Sequence, residues 1–527
     1  MLLSACAIGA LPPGTAPSAE HNYVAVPETD TIIAPSRPLS EEELYTLNQD
    51  AVARAYSLSP DPQALLKFKQ IQAQASAMSP QATKQLQAKL NSQTQTNPGY
   101  TYLYCYANAW VTKDGKKYPL TAQKGSSAAY ASYHVNTWAL NTSSWVTPDY
   151  VKVAVTYPSG SWLISTDRHL VYYTTESNLA LLQDKCRASL NALAMEYLRQ
   201  NYPREPLAEL SIQDITVRGR NNALALDHQF LPFSATVGDN KIHTLVSFGD
   251  SLSDTEATSN LMFHIIPNRT TWFAGHFTNG LTWAEYAAQN LGIISYNEAW
   301  GGAGVNPQLV FNTIWWAQAL SYIAGLYFPS IYQQNQFYTR LVENVAPRNP
   351  DETLYTLLIG GNDFINYNEA SSMVLNRVAE TVAYLINSNH AKNIVLLNLP
   401  NLSLAPVFSA DKALIKPLVE SKTAEYNADL LLLLAKLNQQ YPAVKIRLFD
   451  SYKVFQQITA FPAIYGFSNS VDPCLVAPDS SYVWYTTMKA DCDGYNYVFW
   501  DSLHPTTAIH KILGEEFSKF ARQNYNF

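Results

Sequence analysis

One short stretch of the sequence joins a strand-like apolar run to several polar side chains that could do chemistry. Leu245 to Thr255 reads LVSFGDSLSDT, so two aspartates and two serines fall within six residues after the run. A turn needs only one or two polar residues. Ser251 could be a nucleophile, but a serine hydroxyl is weak unless a general base removes its proton and a carboxylate orients that base.

A suitable base and carboxylate occur near the other end of the chain. Residues 497–506 read YVFWDSLHPT, which puts Asp501 three residues before His504, after another strand-like run. This spacing allows the Asp501 carboxylate to reach the Nδ1–H of the same imidazole. Nε2 of His504 is then free to face Ser251, and the sequence predicts a Ser251, His504 and Asp501 triad.

Two Gly-rich stretches could supply the hydrogen-bond donors that a tetrahedral oxyanion needs. The first, NEAWGGAG, offers the backbone N–H of Gly302, and the second, IGGNDF, offers the side-chain amide of Asn362. The backbone N–H of Ser251 would be a third donor. We expect these residues to form an oxyanion hole.

The other polar residues of the first stretch have local roles in this interpretation. Gly249 permits a tight turn, and Asp250 and Asp254 accept hydrogen bonds from backbone N–H groups and cap the following helix. Ser253 is the alternative nucleophile, although a role as a turn residue is favoured for it.

The elements that must position these residues alternate between strands and helices from residue 241 onward. Short apolar strands separated by helices predict an α/β fold with a parallel sheet that is covered on both faces. Ligands of such sheets bind outside the carboxyl ends of the strands, which is where Ser251 falls. The predicted strands are IHTLVSF, GIISYNEAW, TLYTLLIG, NIVLLNLP and KIRLFD.

Four segments are predicted along the chain. Residues 1–36 form a signal remnant and tether rich in Pro, Ala and Ser, and residues 37–99 form a polar helical arm. Residues 100–240 form a small β-rich domain with one helix, because runs rich in Tyr, Val and Thr alternate there with turn residues. Residues 241–527 form the domain that carries the chemistry.

The cysteines indicate export from a bacterium. LSAC, which ends at Cys6, is similar to the lipobox of a lipoprotein, so the protein is expected to be secreted or to be an outer-membrane or periplasmic lipoprotein. The remaining Cys105, Cys186, Cys474 and Cys492 form no CxxC motif, and their even number suits an oxidising compartment. Three pairings are possible, and proximity favours Cys105 with Cys186 and Cys474 with Cys492.

The composition of the chain excludes some classes of binding partner. The formal net charge of −7 argues against nucleic acid, because phosphate binding requires a basic patch. The other histidines, among them His264, His276 and His510, match no metal-ligand spacing, so neither a metal nor a cofactor is expected. Residues 299–339 carry no charge but many aromatics, including Trp315 and Trp316, and form either a core helix with a loop or a groove for acyl chains.

The blocks around Ser251, Gly302, Asn362 and His504 occur in the order typical of one enzyme family. GDSLSDT, GGAG, GGND and DSLHPT resemble the blocks of the GDSL or SGNH esterases and lipases. SWLISTDRH, GHFTNGLTWAEY and VDPCL resemble the bacterial thermolabile (lecithin-dependent) hemolysins, which are relatives of the glycerophospholipid:cholesterol acyltransferases. One departure is that the first block continues as SDTEATSN, where the family usually has SDTGN.

The resemblance implies an SGNH-hydrolase three-layer α/β/α domain that acts as a phospholipase A or lysophospholipase. It also implies contact with a membrane surface, a phospholipid or lysophospholipid substrate, and acyl transfer to a sterol or another alcohol in some members. The loop closed by Cys474 and Cys492 would be a lid with an activating cleavage position at Lys489, or simply a staple. Two alternatives stay open: an esterase for carbohydrate or short-chain esters, and a non-catalytic protein that binds lipid surfaces.

Overall fold

The computed structural model describes two parts of the chain. Upstream of residue 238 it describes the strands and the helix named below, beginning with Ser59–Pro60; downstream it describes residues 238–261, 266–267, 271–309, 327–344, 349–409, 412–476, 486 and 488–527. The predicted tether at 1–36 with Cys6, and all but Ser59–Pro60 of the predicted arm at 37–99, lie outside the described residues.

The strands are, in chain order, β1 (Ser59–Pro60), β2 (Thr101–Lys113), β3 (Lys116–Pro119), β4 (Ala139–Val146), β5 (Tyr150–Thr156), β6 (His169–Thr174), β7 (Glu209–Arg220), β8 (Asp227–Pro232), β9 (Thr244–Gly249), β10 (Ile294–Asn297), β11 (Gln308–Leu309), β12 (Tyr327–Phe328), β13 (Thr353–Leu358), β14 (Asn393–Leu397), β15 (Lys445–Phe449), β16 (Asn469–Pro473) and β17 (Tyr497–Phe499). The helices are α1 (Glu176–Asn201), α2 (Ala257–Leu261), α3 (Trp283–Leu291), α4 (Ile331–Asn344), α5 (Gly361–Asn366), α6 (Ser371–Ser388), α7 (Lys416–Gln440), α8 (Ser451–Ala460) and α9 (Thr507–Asn524). Short 3₁₀ turns lie between several of these elements.

A five-stranded parallel sheet forms the centre of the second part, in the order β10-β9-β13-β14-β15. Each of the five predicted apolar runs contains one of these strands, so the predicted parallel sheet is confirmed. Every residue of β9 and of β13 is buried, as expected for a strand that is covered on both faces. The register pairs Gly249 with Leu358 and Ser247 with Asn297, so the turns that follow β9, β10 and β13 share one edge.

Helices flank this sheet and complete a three-layer α/β/α arrangement. α3 packs against α9, whereas α6 packs against α7 and α4. Close packing of α3 and α9 requires a small residue, because a Cβ on Gly514 would lie 2.7 Å from the Cβ of Tyr286. α3 begins with a capping box of Thr282 and Glu285, which satisfies N–H groups that have no partner within the helix. The fold class predicted from the sequence is therefore confirmed.

The upstream strands form a second, eight-stranded sheet. Its order is β1-β5-β6-β8-β7-β2-β3, with β4 also paired to β2. A disulfide between Cys105 and Cys186, with a Cα–Cα distance of 5.4 Å, joins β2 to α1, and both cysteines are buried. The described part of this region contains seven strands and one helix, and the division of the chain at 100 and 240 stays a prediction.

The uncharged tract at 299–339 is described at both ends but not between 310 and 326. Phe337 and Tyr338, on α4, are buried in the core, where Tyr338 contacts the rings of Phe248 and Tyr355. This end of the tract therefore belongs to the core, and Trp315 and Trp316 lie outside the described residues. None of the helices in the described part of the chain is long and apolar enough to cross a membrane.

Candidate active site

Ser251 lies in the turn that follows β9, at the carboxyl edge of the sheet. Its Oγ is 2.8 Å from Nε2 of His504, although 253 residues separate the two in sequence. Gly249 is needed here for close approach rather than for its backbone dihedrals, because a Cβ on it would lie 2.5 Å from the carbonyl oxygen of Leu358 on the neighbouring strand. Gly249 is not among the glycines with positive φ, so the close approach to β13, and not a left-handed backbone, is what requires glycine in this turn.

The Asp501 side chain holds the imidazole of His504. The carboxylate is fully buried and lies 2.9 Å from Nδ1 of His504, and it also accepts hydrogen bonds from the backbone N–H groups of Leu503 and His504 at 2.8 and 2.7 Å. A proton on Nδ1 is thereby directed to Asp501, and Nε2 is left to accept the proton of Ser251.

Two aromatic residues also contact this pair and were not found from the sequence. Nε1 of Trp272 donates to Asp501 at 3.2 Å across 229 residues of chain. The ring of Phe277 packs on the ring of His504 with centroids 5.1 Å apart. Phe277 belongs to GHFTNGLTWAEY, whose family resemblance could have suggested a role for it, whereas Trp272 lies before that block and had no such signal.

Asp250 and Asp254 organise the turn around Ser251. Asp250 accepts the N–H of Leu252 at 3.0 Å, and burial raises the pKa of Asp250 to about 6. Asp254 accepts the N–H groups of Glu256, Ala257 and Thr258 and so caps α2, as predicted. Burial raises the pKa of Asp254 as well.

Gly302, in the turn after β10, and Asn362, at the start of α5, lie at the same edge of the sheet. Gly302 has a φ of +78°, and a Cβ there would lie 2.5 Å from the ring of Phe328. Both facts require glycine. The Asn362 side chain donates to the carbonyl oxygen of Ala303 at 2.9 Å, and its Oδ1 accepts from Asn366. One of the two amide hydrogens of Asn362 is used in this way, which leaves the second for an oxyanion.

Two buried carboxylates fix the turn that carries Gly302. Asp254 accepts the N–H of Gly301 at 2.8 Å, and Asp363 accepts the N–H of Val305 at 3.0 Å. Burial raises the pKa of Asp363 to about 7. Asp254, three residues after Ser251, and Asp363, next to Asn362, thus both hold the turn that carries Gly302.

An apolar cavity of about 50 Å³ lies between the two catalytic segments. Leu252, beside the nucleophile, and Leu503, beside the histidine, both line it, and both are partly exposed. Leu402, Phe455 and Leu513 form other parts of its wall.

The remaining candidate residues have structural contacts. Ser253 is buried and its Oγ accepts the Nε1–H of Trp283 at 3.0 Å, which agrees with a turn role. His276 lies 2.9 Å from the carboxylate of Glu285, and burial lowers the pKa of His510 to about 3. His264 lies outside the described residues. Within the described ranges, no group of three or more His, Cys, Asp and Glu side chains could hold a metal ion.

The Cys474–Cys492 disulfide packs against the tryptophan that contacts Asp501. Both cysteines belong to a buried cluster with Trp272 and Trp500. Residues 477–485 and 487 of the loop that the disulfide closes are outside the described residues. Lys489, the predicted cleavage position, is half-buried, and its N–H donates to the carbonyl oxygen of Cys474 at 2.8 Å.

Comparison with known proteins relates the chain to a family. The family model described as GDSL-like lipase/acylhydrolase matches residues 245–517, which is a little more than half of the chain. A thermolabile hemolysin from Vibrio parahaemolyticus is 32% identical over 366 residues, which cover 68% of this chain and 78% of the hemolysin.

Two further relatives are more distant. A phosphatidylcholine-sterol acyltransferase from Aeromonas hydrophila is 27% identical and covers 54% of this chain and 91% of its own length. Among solved structures, an acetylxylan esterase from Geobacillus stearothermophilus covers 53% of this chain and 94% of its own, with 12% identity and a TM-score of 0.27. A score this low carries no argument about substrate.

Proposed function

We propose that this protein is a serine-dependent lipolytic enzyme that acts on phospholipids or lysophospholipids. The chain belongs to the GDSL-like lipase and acylhydrolase family. The observation that carries the proposal is the contact of 2.8 Å between Ser251 Oγ and His504 Nε2, with Asp501 at 2.9 Å from Nδ1 of the same ring. A binding protein would have no need of this alignment.

The mechanism that this geometry supports is acyl transfer in two steps. His504 takes the Ser251 proton at Nε2 while Oγ attacks the ester carbonyl, and Asp501 stabilises the imidazolium that forms. The tetrahedral intermediate collapses when His504 gives that proton to the departing alcohol oxygen, which leaves an ester between the acyl group and Ser251. Water, activated by His504, then attacks this ester and releases the fatty acid.

The oxyanion of each tetrahedral intermediate needs donors that are fixed before the reaction. We assign this role to the backbone N–H groups of Ser251 and Gly302 and to the side-chain amide of Asn362. The support for this is that Asp254 and Asp363 hold the Gly302 turn through Gly301 and Val305, so little reorganisation accompanies the reaction.

A lipid substrate is favoured over an acetylated sugar by the similarity to a thermolabile hemolysin and to a phosphatidylcholine-sterol acyltransferase. An acyl chain that is removed from water on binding contributes about 0.8 kcal/mol for each buried methylene. An acetyl group has no methylene to contribute in this way.

We also propose that the enzyme transfers acyl groups to a sterol and that it acts at a membrane surface. Both proposals rest on the similarity to a phosphatidylcholine-sterol acyltransferase, because an acceptor hydroxyl can replace water in the second step. Export to an oxidising compartment is proposed from the two disulfides, Cys105–Cys186 and Cys474–Cys492.

The test is mass spectrometry of phosphatidylcholine vesicles containing cholesterol after incubation with the wild type or with Ser251→Ala. The proposal predicts that fatty acid and lysolipid are released by the wild type alone. Cholesteryl ester among the products would identify the transferase activity as well.

The controls test the substrate class and the identity of the nucleophile separately. A series of p-nitrophenyl esters should show turnover that rises well beyond the C4 ester. A preference for acetate, with no products from vesicles even after limited proteolysis of the protein, would contradict a lipid substrate and favour the carbohydrate or short-chain esterase. Equal product formation by Ser251→Ala would contradict the proposed nucleophile.

A further inference from the structure

An arginine from the upstream sheet is buried against the segment that follows the nucleophile. Arg218 lies on β7, and its side chain is fully buried. A guanidinium stays charged in proteins, so a buried one must be paired and hydrogen-bonded. Arg218 forms an ion pair with the carboxylate of Glu256, and its Nη2 donates to the carbonyl oxygen of Thr255 at 3.1 Å.

These two partners directly follow the aspartate that organises the turn of Ser251. Asp254 accepts the N–H of Glu256 through one carboxylate oxygen and the N–H of Gly301 through the other. Gly301 precedes the proposed oxyanion donor Gly302. A continuous series of contacts therefore runs from the Arg218 side chain to the nucleophile turn and to the oxyanion turn.

Glu256 is the residue at which the nucleophile block departs from the usual family pattern. The block reads SDTEATSN in place of SDTGN, so a carboxylate stands where glycine is usual. Glycine could not neutralise Arg218. The change introduces the countercharge that the buried guanidinium requires, which gives the departure a physical reason.

A second contact joins the upstream sheet to the histidine segment. A β-bulge on β7 puts two residues opposite one of β2, and Asp214 in the bulge has a φ of +56°. Its carboxylate accepts from the hydroxyl of Tyr286 at 3.2 Å, and this hydroxyl lies 3.0 Å from Oγ1 of Thr507. Bulges commonly redirect a side chain next to an active site. Thr507 begins α9, three residues after His504.

We propose that the upstream sheet is a structural part of the active site, in which Arg218 acts as a positioning residue that holds the nucleophile and oxyanion turns through Glu256 and Thr255. The inference rests on the proposed serine mechanism. It gives residues 100–232 a role in catalysis that an attached binding module would not have.

The test compares three variants of the full-length protein by steady-state kinetics on a soluble p-nitrophenyl ester and by thermal unfolding. Arg218→Met keeps the apolar part of the side chain and removes its charge, Glu256→Gln removes only the countercharge, and the double variant Arg218→Met/Glu256→Leu removes both charges. The exposed Arg187, on α1 of the same region, supplies the matched control Arg187→Met.

We expect kcat to fall about 10- to 100-fold in Arg218→Met, with KM within about threefold of the wild-type value, because displacement of a catalytic group by about 1 Å has effects of this size. Glu256→Gln should show a smaller fall in kcat with the same unchanged KM. Arg187→Met should match the wild type.

The double variant distinguishes a positioning role of Arg218 from an effect on stability alone. It leaves no uncompensated buried charge, so its unfolding temperature should recover toward the wild-type value while its kcat stays low. Recovery of kcat together with the unfolding temperature would overturn the inference, because Arg218 would then act only on stability. If Arg218→Met does not fold, Glu256→Gln and the double variant decide the question in the same way.

Failure of the serine mechanism would look different. Ser251→Ala, measured in the same assay, loses activity if the proposed function is correct. Unchanged turnover in Ser251→Ala would contradict that function itself. Lost turnover in Ser251→Ala together with wild-type kcat in folded Glu256→Gln and double variants would overturn only the role of Arg218.

Discussion

The Asp501 side chain is held by four hydrogen-bond donors. Its carboxylate contacts the imidazole of His504, two backbone N–H groups of its own turn and the indole of Trp272. Because these donors come from three directions, the carboxylate has little freedom to rotate. The Asp501 carboxylate therefore fixes the His504 ring with its Nε2 directed at Ser251.

Replacement of Asp501 tests this orienting role. We predict that Asp501→Asn lowers kcat by roughly 10⁴, because the amide can donate to the imidazole and favour the wrong tautomer. Trp272→Phe, which removes one donor and keeps most of the ring, should cost only about 10-fold. Steady-state kinetics on a p-nitrophenyl ester measures both, and an Asp501→Asn enzyme within tenfold of the wild type would refute the assignment.

Asp363 makes stability depend on pH in an unusual direction. Burial raises its pKa from 3.8 to about 7 in the folded protein. Between about pH 4 and 7 the folded state therefore holds a proton that the unfolded state has lost. The contribution of Asp363 to stability is complete below about pH 4 and is lost as the pH rises through 7, by at most about 1.4 kcal/mol per pH unit.

Asp363→Asn should remove this contribution while its Oδ1 still accepts the N–H of Val305. We predict that the free energy of unfolding of the variant falls less between pH 4.5 and 7.5 than that of the wild type, as measured by urea titration. Asp184→Asn, at an exposed position on α1, is the control. Parallel curves for the wild type and Asp363→Asn would exclude this role.

The catalytic residues are held by turns rather than by regular elements, and other elements support each turn. β17 leads into the turn of Asp501 and His504, and β16 pairs with β17. The Cys474–Cys492 disulfide follows β16 and packs with Trp272 and Trp500. The disulfide thus supports the indole that donates to Asp501.

Removal of this disulfide should affect stability more than chemistry. It joins residues 18 apart in sequence, and a loop of that size is worth about 3 kcal/mol. We predict that Cys474→Ala/Cys492→Ala lowers the free energy of unfolding by about that amount, while kcat falls far less than in Asp501→Asn. Urea unfolding and ester kinetics check the two parts, and an unchanged unfolding midpoint would show that the bond is not a staple.

At the scale of the whole molecule, the central sheet was predictable and much of the site's support was not. Buried parallel strands appear in sequence as short apolar runs, so the five strands could be found without tertiary information. Ser251 and His504 were found because each lies in a distinct polar block at a strand end. Local chemistry was sufficient for these features.

The supporting contacts could not be predicted, because they join residues that are distant in sequence and ordinary in type. Trp272 reaches Asp501 across 229 residues, and no periodicity links the two. Arg218 is one of two arginines in β7, and only the fold reveals that it is buried against Thr255 and Glu256. Sequence patterns report which residues can do chemistry, whereas packing determines what holds them.

The central claim is that Ser251, activated by His504, carries the acyl group. The most direct measurement is peptide mass spectrometry of the protein after reaction with a p-nitrophenyl phosphonate, which traps the nucleophile of a serine hydrolase. We predict a single adduct on Ser251, formed much more slowly in His504→Ala and absent from Ser251→Ala. An adduct on Ser253, or full ester turnover without any adduct on Ser251, would contradict it.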